Sequence, residues 1–134
     1  MTETRYGLQV KLPIPFEQAL EKATTALKGE GFGVLTSIDV KQTLKQKLDI
    51  EFRQYVILGA CNPPLAHRAL SAELEVGLLL PCNVVVYEDT PDTSIVTAVA
   101  PIAMLGAAGG SAELGEVARE ADTRLRRVMS SLEA

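Results

Sequence analysis

Two cysteines, a single histidine and a repeated Cys-Asn pair fall within one third of this chain and carry its most distinctive chemistry. Cys61-Asn62-Pro63-Pro64 follows an apolar, strand-like run, and a helical pattern bearing His67 comes next. Cys82-Asn83 recurs behind Leu79-Leu80-Pro81. Thiols, an imidazole and amides in one region admit three roles. As a reactive pair, Cys61 and Cys82 would serve redox or sulfur transfer. Unpaired N–H groups and the positive dipole end of a helix start favour a thiolate at Cys61. With His67 the cysteines would make a three-ligand metal site, one short of a structural zinc, leaving a water, carboxylate or partner group to complete it. Alternatively both are small buried hydrophobes, as free cysteines often are, and His67 is a surface or hydrogen-bonded residue. Every joint role needs strands over 50–61 and 83–88 to be antiparallel neighbours. Parallel strands would send the cysteines to opposite sheet ends.

Asn62 is a good helix cap with Pro63 in the first helical position. With Asn83 it could also line a polar pocket for a small anion at that helix N-terminus. Other candidates resolve to structure. Asp39 with Lys41 reads as a cap and a solvated lysine. The acids of 88–93 lack the ligand offsets and glycine of a calcium loop. Gly106, Gly109 and Gly110 fit neither a dinucleotide nor a Walker fingerprint. One histidine and scattered serines specify no Ser/His/Asp arrangement.

The elements that must position these groups follow from periodicity. Tyr6, Leu8, Val10 and Leu12 alternate with polar neighbours, which predicts a half-buried strand ended by Pro13 and Pro15. Phe16, Ala19, Leu20, Ala23 and Leu27 follow helical spacing, with Pro15 in the first turn and Gly29 and Gly31 closing the helix. A strand over 32–40 and a short basic helix over 41–48, capped by Asp39, come next. A long strand over 50–61 turns wholly apolar in its second half, as a strand entering the core would. A helix to about Glu73, then strands over 83–88 and 94–99 in a hairpin, complete the middle. Residues 101–110 read as an apolar, mobile loop covering the site or a partner surface. Ser111 caps a last helix whose stripe runs from Leu114 through Val117, Ala118, Ala121, Leu125, Val128 and Met129 to Leu132. The order predicts an α+β fold: a two-layer domain, mainly antiparallel sheet of four to five strands, with helices packed on one face.

A length of 134 residues suits a single domain, and 47% hydrophobic with 22% charged residues is globular composition. With no Trp and only three Phe and three Tyr, the core must be aliphatic. A net charge of −4 argues against unspecific nucleic-acid binding. The most apolar stretches, 76–86 and 95–110, are interrupted by Pro81 and Pro101 and fall short of the ~20 residues of a membrane helix. No secretory signal pattern opens the chain, so two cysteines imply a reducing, cytoplasmic setting.

Three stretches resemble the domain of unknown function 302 family: Gly31-Phe32-Gly33-Val34-Leu35-Thr36-Ser37-Ile38-Asp39-Val40-Lys41, Gly59-Ala60-Cys61-Asn62-Pro63-Pro64-Leu65-Ala66 and Gly77-Leu78-Leu79-Leu80-Pro81-Cys82-Asn83. Their order and spacing agree too, and the resemblance covers nearly the whole chain. It implies a small α+β domain of bacteria and archaea, often dimeric, without an established activity. Many members keep the Asn-Pro and Leu-Pro elements but lack one or both cysteines, which implies that a cysteine-based activity does not belong to the family as a whole.

The combined expectation is a cytoplasmic homodimer that binds a small ligand or protein partner at the Cys61/Cys82 end of the sheet. Cys61, Asn62, His67, Cys82 and Asn83 are the candidate residues. No resident metal or cofactor and no nucleic-acid or membrane partner is expected. A thiol-dependent redox, sulfur-handling or metal-binding protein (metal set Cys61, His67, Cys82) is the alternative, and a structural dimer module the third.

Overall fold

A computed structural model describes residues 1–106 and 111–133. The chain runs β1 (Thr2–Glu3), β2 (Gly7–Leu12), α1 (Phe16–Gly29), β3 (Gly33–Asp39), α2 (Val40–Leu48), β4 (Tyr55–Cys61) and α3 (Pro63–Ala72). A 3₁₀ helix (Leu74–Leu79), β5 (Cys82–Thr90), β6 (Thr93–Val99), α4 (Pro101–Gly106) and α5 (Ala112–Leu132) follow. The fold is α+β, as the periodicity predicts. Its sheet has six strands in the order β1-β2-β6-β5-β4-β3, every pair antiparallel.

The alternating strands put Leu8, Val10, Leu12, Val56, Leu58, Ala60, Val84, Val86, Val96 and Ala98 on one face. There α1 adds Phe16, Ala19, Ala23 and Leu27, and the C-terminal half of α5 adds Leu125, Val128, Met129 and Leu132. Each large side chain buried there contributes about 1.5–3 kcal/mol. The N-terminal half of α5 belongs to a second, smaller core: Leu114, Val117, Ala118 and Ala121 pack with Leu65 and Ala69 of α3 and with Val76. One helix thus spans two cores, and the sequence stripe conceals the break between them.

The expected caps form. Asp39 Oδ1 accepts from Gln42 N at 2.9 Å, Asn62 Oδ1 from Leu65 N at 3.2 Å and Ser111 Oγ from Leu114 N at 3.0 Å. Past the end of α1, Gly31 takes φ +85°, a left-handed conformation that glycine adopts without strain.

Four expectations need correction. The sheet gains β1, a two-residue edge strand too short for periodicity to reveal. The strand expected over 50–61 starts only at Tyr55, because β3 ends at Asp39, whose partner is Val56, and leaves 50–54 no strand to pair with on that side. Instead Lys45 Nζ holds Glu51 at 2.9 Å and Lys41 Nζ donates to the Phe52 carbonyl at 2.9 Å. The 3₁₀ helix fills a stretch with no assigned element. Pro101 opens α4 where a loop was expected; residues 107–110 of that loop lie outside the described residues.

Candidate functional site

Strands β4 and β5 are antiparallel neighbours, with Ala60 opposite Cys82. Cys61 is therefore a diagonal neighbour of Cys82, with Cα atoms on the order of 6 Å apart by strand geometry. Both cysteines are free. Cys82 points with Ala60 toward the helices, and Cys61, the last residue of β4, lines the same cavity as Cys82. Cys82 is buried and Cys61 half-buried. Burial, with a smaller contribution from nearby Cys61, pushes the Cys82 thiol up to about 11.

The start of α3 uses its backbone donors internally. Pro63 and Pro64 have no N–H. The Leu65 N–H goes to Asn62 Oδ1, and the Ala66 N–H goes to the Asn62 carbonyl at 2.9 Å. The backbone N–H groups of this first turn are thus all used within the chain. His67 does not join the thiols. Leu65 and Ala69 face inward, and His67, two positions from each, sits about 200° round the helix and is exposed. Asn83 alternates with Cys82 and is exposed on the outer face, opposite Gly59. Among the described residues no three His, Cys, Asp or Glu side chains gather to hold a metal ion.

What the region does contain is a half-open pocket, a void of about 300 Å³ between the two cores. The ends of β4 and β5 supply Ala60, Cys61 and Cys82, preceded by Leu80 and Pro81 across a cis peptide bond. From α3 come Asn62, Leu65, Ala66 and Ala69; from α5, Val117 and Ala121; from the β3 side, Phe32, Leu35 and Thr36. Apart from Thr36, Asn62 and the thiols, these walls are hydrocarbon. The void exists because facing helix positions are small. Ala69 and Ala121 are 1% and 4% exposed, and neither reaches across. Near Leu35 the register of β3 shifts, so that Val34 pairs with Ala60 but Thr36 with Gly59. This bulge bends the edge strand beside the void. Gly59 permits the close packing of Thr36 and Pro81 over it; a Cβ there would collide with Thr36 Oγ1 and lie 2.8 Å from Pro81 Cγ.

A polar groove adjoins the void and shares Asn62 and Leu65 with it. Its remaining walls are Gly31, Pro64, Arg68, Glu116, Glu120 and Arg124. Arg68 Nε donates to Glu113 at 2.8 Å and Nη2 to Glu116 at 3.3 Å, and Arg124 Nε donates to Glu120 at 2.9 Å. Of the sequence candidates, Cys61, Asn62 and Cys82 thus line one cavity, while His67 and Asn83 stand outside it. Phe32, Ala69, Val117 and Ala121 escaped the sequence reading as site residues. The signal they left is an Ala-rich inner face on two helices that meet.

The family model described as "Domain of unknown function DUF302" matches residues 8–132. A crystal structure of an uncharacterized conserved DUF302 protein from Bacillus stearothermophilus is similar, with a TM-score of 0.84 and 31% sequence identity, covering 95% of this chain and 98% of that one. No curated protein matches the chain.

Proposed function

The chain belongs to the DUF302 family, and we propose that it is a small-molecule binding domain whose ligand is apolar and occupies the void between the two cores. The observation that carries this reading is the hydrocarbon-lined space of about 300 Å³. A dry apolar cavity of ~150 Å³ admits a benzene-sized molecule, so this one suits roughly ten to twelve heavy atoms. Filling it restores the dispersion contacts its walls lack. The test is the thermal stability of the native protein with butylbenzene as probe. At about ten times its Kd the probe adds ~1.4 kcal/mol and raises the melting temperature. A melting temperature unmoved up to the probe's solubility limit would refute the reading.

A thiol-dependent mechanism draws less support. Cys82 is buried and its thiol is pushed up to about 11, away from the thiolate that such chemistry uses. We further propose a cytoplasmic setting, which two free cysteines fit. We also propose a homodimer formed through the outer sheet face. Ile57, Val85 and Tyr87 are half-buried there, Ile38 is 50% exposed, and the rings of Tyr55 and Tyr87 stack at 5.3 Å. The main-core helices α1 and α5 pack on the opposite face, so a second copy would cover this one.

A further inference from the structure

We infer that the ligand is a neutral-headed amphiphile, with an apolar body in the void and an uncharged hydrogen-bond acceptor, such as an amide or ester carbonyl, held by Asn62 Nδ2 at the junction with the polar groove. The inference rests on the cavity reading above and names the ligand class. Asn62 is 8% exposed, and it is the polar side chain common to void and groove. Its orientation is fixed, because Oδ1 accepts from Leu65 N. The hydrogen bonds among the described residues use Oδ1 and leave Nδ2 without an acceptor. No sealed side-chain nitrogen or oxygen lacks a partner among the described residues, so Nδ2 opens into the space beside it. That space is kept by Gly31: a Cβ there would lie 2.9 Å from Nδ2 and 3.5 Å from Arg124 Nη1.

Charge decides the head. Arg68 and Arg124 face the groove together with Glu116 and Glu120, and both guanidiniums are already bonded to carboxylates. Arg124 Nη1 also donates to the Glu30 carbonyl at 3.2 Å. A carboxylate head would displace one of these glutamates from its arginine and be repelled by the other. An ammonium head would have to displace Arg68 or Arg124 from its glutamate and be repelled by the other guanidinium. A neutral carbonyl needs one free donor, and Nδ2 is that donor.

The experiment compares butylbenzene, octanamide, octanoate and octylammonium, each of about ten heavy atoms to match the void, by calorimetric titration. The proteins are native, Asn62→Asp and Asn62→Ser. Both substitutions keep a capping oxygen for Leu65 N and remove the amide donor; thermal melts check that each folds. Octanamide is expected to bind the native protein more tightly than either charged probe. Losing the donor should weaken octanamide about five- to tenfold, the worth of one net hydrogen bond, and leave butylbenzene within about twofold. Octanoate binding as tightly as octanamide, or octanamide indifferent to both substitutions, overturns the head-group assignment while butylbenzene binding keeps the cavity reading. Failure of both butylbenzene and octanamide to bind the native protein overturns the two readings together.

Discussion

Replacing Ala69 by leucine should fill part of the void, strengthen the fold and abolish ligand binding at once. Ala69 is 1% exposed, packs in the second core and lines the void of about 300 Å³. Leucine adds three heavy atoms, roughly 90 Å³ at the ~30 Å³ that a water occupies in the liquid, or about a third of the space. At ~24 cal/mol per Å³ of cavity removed, the upper limit of the gain is about 2 kcal/mol. Imperfect rotamers reduce it, since overpacking costs about 1–3 kcal/mol where no room exists. The expected net gain is roughly 1 kcal/mol, with helix propensity nearly unchanged. For a chain of this length that is a rise of about 3–5 °C in melting temperature. Urea unfolding measures it as a higher midpoint at constant slope. Butylbenzene titration of the same protein should show no stabilisation. A variant that loses more than ~1 kcal/mol and still binds the probe as tightly as the native protein would mean that the space beside Ala69 is not the ligand's.

Cys61 should be alkylated faster than Cys82 at neutral pH, because Cys61 is half-buried and Cys82 is buried with its thiol pushed up to about 11; single Cys→Ser variants read the two rates separately. The folded state holds the Cys82 proton more tightly than the ordinary value of 9.0 allows, so its contribution is whole below about pH 9 and is lost as pH rises through about 11. Denaturation across that window should show a decline of roughly 2–3 kcal/mol that is absent from Cys82→Ala. Gly59→Ala should destabilise by about 1–3 kcal/mol in urea unfolding, since its Cβ would meet Thr36 Oγ1 and Pro81 Cγ. The double variant Ile57→Lys/Val85→Lys should sediment as a folded monomer where the native protein sediments as a dimer; a native monomer at micromolar concentration would contradict the dimer.

Most of the elements were legible because their signals are local. Alternation in Leu8, Val10 and Leu12 and the caps at Asp39, Asn62 and Ser111 depend on near neighbours, and the structure keeps them. The Cys61/Cys82 end was legible because the antiparallel pairing of β4 and β5 follows from two apolar runs that must share a core. The site's character was not. Whether Asn62 heads an anion site depends on every N–H of the first turn, and two prolines with two internal bonds consume them all. His67 is close to Cys61 in sequence, but a two-residue offset from Leu65 and Ala69 turns it outward. The void arises where α5 passes from one core to the other. Its continuous stripe, Leu114 to Leu132, gives no sign of that crossing, and the small size of Ala69 and Ala121 reads as ordinary helix composition.

The most direct measurement is the amide nitrogen–proton spectrum of the labelled protein during a butylbenzene titration. Saturable shifts confined to residues round the void are expected, with Ala60, Cys61, Leu65, Ala69, Cys82 and Ala121 moving most. The outer-face residues Ile57, Val85 and Tyr87 should stay still. No saturable shift, or shifts centred on that outer face, would contradict the cavity reading.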